Sequence, residues 1–219
     1  MKSSFTSIRF GLMVGIGGGV PSAEAGIRLG DVVISRPENH NSGVIQYDFG
    51  KKEALCGLDF STVLLKYSKM QLQIYRPIIS ENRLSEYASR FDRLQLFSRE
   101  YAGPDILFQS DCHHVGEATC DECDNQDMAI HYGTIASGNQ VMRDALERDR
   151  LSSELGGVVC FEMEAAGLMN QFSCLIIRGI CDYSDSHKNI RWQPYAAGAA
   201  AAYAKELLSV IPRTETKQP

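Results

Sequence analysis

The chain has 219 residues, with 44% hydrophobic and 9% aromatic side chains and 22 basic against 27 acidic groups, a formal charge of −5. That is ordinary globular composition with enough apolar material for one real core. The weakly acidic balance argues against a nucleic-acid binder built on a broad basic face, and no apolar run approaches the ~18 residues of a membrane span.

At the start of the chain, Lys2 and Arg9 ahead of Phe10 to Val14, with Ala23-Glu24-Ala25 beyond, imitate a secretory signal. Glycines at 11, 15, 17, 18 and 19 make that segment a poor apolar helix, since each costs about 1 kcal/mol against alanine. We therefore read Phe10 to Gly15 as a buried strand entering a glycine loop. Asp31 to Ser35 reads as a second strand and Gly43 to Tyr47 as a third. Thr62 to Met70 reads as a helix capped by Ser61. Leu84, Tyr87, Phe91 and Leu94 recur at helical spacing, which predicts an amphipathic helix over Glu81 to Phe97. Gln109 to Asp127 is polar, cysteine-bearing and irregular, an excursion loop.

The last third is clearest. Val158 to Met163 reads as a strand, Glu164 to Phe172 as a helix and Cys174 to Ile180 as a strand, which together make a βαβ unit with parallel strands. Alanines from Tyr195 to Leu208 predict a final helix, and Arg213 to Pro219 a short frayed tail. The class is α/β in a single domain, residues 5 to 211, with 212 to 219 as the tail. Seven cysteines, most of them in apolar segments such as Cys160, Cys174 and Cys181, read as reduced thiols packed in a cytosolic protein.

Ligands of open α/β sheets sit beyond the carboxyl ends of strands, and three such ends carry suggestive residues. In Gly15-Ile16-Gly17-Gly18-Gly19, bare backbone can approach a ligand and aim N–H groups at it; a tight turn with no ligand is the alternative. Val20 and Pro21 break the dinucleotide fingerprint, and no Gly-Lys-Ser/Thr follows for a P-loop. At Phe161-Glu162-Met163-Glu164-Ala165, Glu164 either favours the helix macrodipole or accepts hydrogen bonds from paired hydroxyls of a ligand. Asp182, at the end of Arg178-Gly179-Ile180-Cys181, stands where a general acid is useful, or is an exposed turn residue. Cys112, His114, Cys120 and Cys123 offer four tetrahedral ligands for a structural zinc, although the spacing matches no standard finger and a metal-free polar loop is the other reading.

In these motifs the chain resembles the purine nucleoside phosphorylase, uridine phosphorylase and methylthioadenosine nucleosidase superfamily, and more narrowly the nucleoside-phosphorylase-like domains of fungal multidomain proteins. The resemblance rests on Val14 to Gly19 running on to Leu29-Gly30-Asp31-Val32-Val33, then Phe161 to Ala165, then Ile177 to Asp182, with Trp192 beyond. It implies a three-layer α/β/α fold around a twisted, mostly parallel mixed sheet. It implies cleavage of the N-glycosidic bond of a purine nucleoside, with Asp182 protonating the base, Glu164 on the ribose hydroxyls, Met163 under the sugar and Glu162 close by. Gly15, Gly17 and Gly18 would line the site, and Val141 and Met142 the base pocket, Val141 standing where relatives often have a stacking phenylalanine. No cofactor is implied. The partner implied is a small molecule rather than nucleic acid or membrane, bound by a cytoplasmic homo-oligomer.

Two departures sharpen the expectation. Where phosphorylases of the superfamily place an arginine and a hydroxyl around the first glycine, this chain has Met13 and Ile16. Phosphate would lose its charge-assisted contacts there, so hydrolysis is favoured. Only nine residues precede Phe10, too few for the leading strand and the water-activating glutamate of relatives. The chain thus reads as N-terminally truncated, with weak activity, because a general base is typically worth ~10²- to 10⁴-fold. A catalytically degenerate binding module of a larger protein is the alternative.

Overall fold

The computed structural model describes residues 11–22, 25–37, 42–48, 95–108, 110, 121–122, 128–169 and 174–211. Six strands form the main sheet: β1 (Leu12–Gly19), β2 (Val32–Ser35), β3 (Val44–Gln46), β6 (Ile130–Ser137), β7 (Val158–Glu162) and β8 (Leu175–Asp182). Two short strands, β4 (Ile106–Leu107) and β5 (Asp121–Glu122), pair separately and antiparallel. The helices are α1 (Arg99–Ala102), α2 (Ala145–Glu154), α3 (Ala165–Met169) and α4 (Trp192–Val210).

The sheet is mixed and mostly parallel. Its order is β2-β8-β1-β7-β6-β3, and only the β1–β7 and β2–β8 pairings are antiparallel. Strand β6 also pairs with β2, from Val32↔Ile130 to Ser35↔Gly133. Five strands therefore close on themselves, and β3 continues alongside the second half of β6.

Alternation decides what goes inside. Val33, Ile135, Cys160, Ile176 and Ile180 point inward and meet Ala165 and Met169 of α3, while Val32, Ile34 and Ile177 point outward onto the alanine-rich face of α4. On another outer face, Leu151 of α2 packs with Val158, Phe161 and Ala136. Helices α2 and α4 thus cover the outside of the sheet, as expected of an α/β fold.

Alanine-rich α4 lies very close to the sheet. A Cβ at Gly179 would stand 1.9 Å from the Ala196 carbonyl oxygen, a backbone atom that cannot rotate away. Gly179→Ala should therefore destabilise the fold by at least the ~1–3 kcal/mol of an overpacked core, read as a lower urea midpoint. An unchanged midpoint would mean that α4 does not approach β8 in this way.

Several sequence expectations are corrected. The strands of the expected βαβ unit, β7 and β8, are not parallel: β1 lies between them, antiparallel to β7 and parallel to β8, so the two run in opposite directions. The first strand does not stop at Gly15: the glycines continue it to Gly19, and none of Gly15, Gly17, Gly18 and Gly19 has positive φ. The tight-turn alternative therefore fails, and the missing side chains serve close packing instead. Gln95–Phe97, at the end of the expected amphipathic helix, is a 3-10 turn; the rest of that helix and all of 62 to 70 lie outside the described residues. Part of the excursion loop pairs as β5. β8 runs on to Asp182, and α4 begins at Trp192, three residues earlier than the alanine run suggested.

Among the described residues no helix is long and apolar enough to cross a membrane.

Candidate functional site

The ends of β1, β7 and β8 meet at Gly17 and Gly18. Gly18 pairs with Phe161 on one side and with Asp182 on the other. Along β1 and β8 the register shifts between Gly17, opposite Ile180, and Gly18, opposite Asp182. Cys181 is the extra residue of this bulge, and bulges of this kind re-aim the following side chain. Space is tight: a Cβ on Gly17 would lie 2.5 Å from Cys160 Sγ, and one on Gly18 would lie 2.1 Å from Ser184 Oγ and 2.7 Å from Asp182 Oδ1.

Above this junction opens a cleft of about 570 Å³, within the size range of small-molecule sites. Its wall includes Gly17, Gly18, Val141, Met142, Glu162, Met163, Glu164 and Asp182, so eight residues that the sequence singled out come together. Gly15 does not line it. A Cβ there would collide with Arg178 Nη1 at 2.1 Å, so Gly15 makes room for the guanidinium.

One end of the cleft is built around Arg178. Its Nη2 pairs with Glu162 Oε2 and, at 2.9 Å, with Glu164 Oε2. The side chains of Arg178 and Glu162 are 4% and 1% exposed, whereas Glu164 is 60% exposed. Glu162 also accepts from the backbone N–H of Glu164 (3.2 Å) and of Ala165 (3.1 Å). Its carboxylate is thus spent on capping the turn into α3 and on Arg178, and it positions Glu164, which faces the cleft. Arg178 Nη1 also donates to the Ile16 carbonyl at 3.4 Å, and Nη2 lies 3.5 Å from Met13 Sδ. A cation therefore stands beside the two positions where the sequence offered none, already engaged by two carboxylates.

The other end holds Asp182, which is 9% exposed. Its Oδ1 accepts from the Ser184 N–H (2.9 Å) and from Lys188 Nζ (2.7 Å). Cys181 donates its S–H to Oδ2 at 3.4 Å. Burial, reinforced by the Asp182 carboxylate, pushes the Cys181 thiol well above its ordinary value, so it remains a donor.

Two distant elements fix this loop. Arg148 of α2, 2% exposed, donates through Nη1 to the Tyr183 carbonyl at 2.7 Å. The Tyr183 hydroxyl donates to Asp105 Oδ1 at 2.7 Å. Burial first and Asp105 second push that hydroxyl up, and burial raises the Asp105 carboxyl despite the hydrogen bond. The Val141–Met142 side is held by Tyr47, whose hydroxyl donates to the Gln140 carbonyl at 3.0 Å and whose ring meets Phe161 edge-on at 5.4 Å.

Cys112, His114, Cys120 and Cys123 lie outside the described residues; among the described residues no group of three or more His, Cys, Asp or Glu could hold a metal. Sequence reasoning missed Arg178, Lys188 and Arg148 as parts of the site. For Arg178 there was a signal: a basic residue inside an apolar strand must find a partner. Lys188 and Arg148 offered none.

No protein-family model matches the chain. It is 44% identical, over 96% of its own length, to a nucleotide-binding leucine-rich repeat (NLR)-like protein of the fungus Hyaloscypha variabilis, of which it spans 22%. It is 31% identical over 38% of its length to a 5'-methylthioadenosine/S-adenosylhomocysteine nucleosidase of Mycobacterium bovis, of which the match spans 34%. Among solved structures, the 5'-methylthioadenosine/S-adenosylhomocysteine nucleosidase of Neisseria meningitidis, in complex with methylthio-immucillin-A, aligns over 96% of this chain and 73% of its own, with TM-score 0.53 and 16% identity. A futalosine hydrolase mutant of Helicobacter pylori aligns over 96% and 73%, with TM-score 0.52 and 14% identity.

Proposed function

From the premise that this chain has the fold of the nucleoside phosphorylase and methylthioadenosine nucleosidase superfamily, we propose that it binds a purine nucleoside in the cleft and hydrolyses its N-glycosidic bond. The observation that carries this reading is the placement of two differently solvated carboxylates at opposite partners, Glu164 exposed beside Arg178 and Asp182 buried beside Lys188. Glu164 accepts hydrogen bonds from the two ribose hydroxyls, and Arg178 restrains it. Asp182, held at Oδ1 by Lys188 and the Ser184 N–H, takes up a proton from solvent on Oδ2 and delivers it to N7 of the base. The C1′–N9 bond breaks, its electron pair leaves with the protonated base, water oxygen bonds to C1′, and the water's second proton is released to solvent. Acid assistance to the departing base lowers the barrier because negative charge develops there.

Water is favoured over phosphate on electrostatic grounds. The Arg178 guanidinium, the cation nearest Met13 and Ile16, already faces Glu162 and Glu164. At this end of the cleft an incoming phosphate would meet a carboxylate excess, with the Arg178 guanidinium already engaged by both carboxylates. Base release from methylthioadenosine, adenosine and inosine should therefore proceed at the same rate with and without inorganic phosphate; a rate that rises in proportion to phosphate would replace this reading with phosphorolysis.

One observation favours a second reading. The chain matches the fungal NLR-like protein over 96% of its own length but only 22% of that protein's, as a module of a larger receptor would. A purine-sensing module would show ligand-induced thermal stabilisation with no release of base, whereas the enzyme shows both.

A further inference from the structure

We propose that Ser184 is a specificity-determining residue whose hydroxyl reads the six-position substituent of the purine, an inference that rests on the purine reading of the cleft. Three observations converge on this residue. Its Oγ is buried and has no hydrogen-bond partner among the described residues, an arrangement that costs free energy unless something else satisfies it. It is the one non-glycine residue with positive φ among them, at 55°, a strained conformation that tends to persist at ligand sites. It also belongs to the wall of the cleft, immediately beside Asp182.

The carboxylate next to it explains why a second group is needed. Both lone-pair directions of Asp182 Oδ1 are taken, by Lys188 Nζ at 2.7 Å and the Ser184 N–H at 2.9 Å. Only Oδ2, held by the weak Cys181 S–H contact at 3.4 Å, remains for a ligand. A single oxygen serves a single polar atom, here N7. The same edge of the base carries the six-substituent, an amino donor in adenine and an oxo acceptor in guanine. Ser184 Oγ stands over Gly18 at 2.1 Å from where its Cβ would be, on the same side as the Asp182 carboxylate, so the hydroxyl supplies a second polar point for that edge beside Oδ2. Because a hydroxyl both donates and accepts, it satisfies an amino or an oxo group alike, and the site accepts both 6-aminopurines and 6-oxopurines.

The test is titration calorimetry of the full chain with adenine, hypoxanthine and unsubstituted purine, using wild type, Ser184→Ala and Ser184→Gly. The glycine variant removes the hydroxyl while relieving the positive φ, so agreement between the two variants excludes a backbone effect. Both variants should weaken adenine and hypoxanthine about three- to tenfold, the worth of one hydrogen bond, and leave unsubstituted purine within about twofold. Equal weakening of all three bases, or no weakening of adenine, would overturn the role of Ser184 while leaving the purine reading intact. A wild-type chain that binds none of the three bases would overturn both.

Discussion

Asp182→Asn should lower base release by ~10²- to 10⁴-fold, the usual worth of a positioned general acid, with KM changed far less than kcat. The substitution keeps size and an acceptor for the Ser184 N–H, which now reaches Oδ1 at 2.9 Å, so the turn survives. What disappears is the carboxyl oxygen that relays a proton to N7 in the proposed mechanism, together with the carboxylate that pairs with Lys188 at 2.7 Å between turnovers. Thermal unfolding of the variant should stay close to wild type, because Lys188 is partly solvated and can rehydrate. A variant that keeps its activity within tenfold would remove Asp182 from the acid role. A variant that unfolds would instead make the residue chiefly structural.

Arg178→Met should be the most destabilising single change in the site. It leaves the Glu162 carboxylate, 1% exposed, without its guanidinium partner. Removing one member of a buried pair typically costs ~3–5 kcal/mol because the other charge stays buried. For a chain of this size that is a fall in Tm on the order of 10 °C. Adding Glu162→Gln should recover most of the loss, since glutamine is neutral yet still accepts from the Glu164 and Ala165 N–H groups that Glu162 caps. A double variant as unstable as Arg178→Met alone would mean that the guanidinium is needed for packing against Gly15 rather than for its charge.

The two carboxylates that line the cleft, Asp182 and Glu164, show how far the sequence could be read. Asp182 was legible because it ends an apolar strand, and strand ends are where α/β folds place ligands. Glu164 was legible as a carboxylate at a strand-to-helix junction. The consequence of Cys181 was not: a bulge arises from pairing between β1 and β8, and no local pattern announces which residue a partner strand will skip. Nor did spacing reveal that Glu162 is consumed as a cap while Glu164 faces the cleft, since both flank Met163 in the same way.

The long-range elements were hidden for related reasons. Strand β6, Ile130–Ser137, closes the sheet by pairing with β2, β3 and β7, yet His131, Tyr132, Gly133 and Thr134 interrupt any simple apolar run. Helix α2 has five charged residues in ten, and one of them, Arg148, is buried to hold the Tyr183 carbonyl. Its purpose exists only once a loop 35 residues later has folded against it. The glycine run misled in the opposite direction. Its residues suggested a loop, but side-chain-free backbone in a crowded strand gives the same composition, and Cys160, Arg178 and Ser184 take the vacated space.

The proposed reaction of this cleft is the transfer of a purine nucleoside's sugar to water. Its most direct test is incubation of the purified chain with methylthioadenosine in ¹⁸O-enriched water containing inorganic phosphate, followed by mass spectrometry of the sugar product. Hydrolysis predicts free base together with methylthioribose carrying one ¹⁸O at the anomeric carbon, lost when Asp182 is replaced by Asn. A sugar 1-phosphate without the label, or intact nucleoside recovered from folded protein, would contradict it.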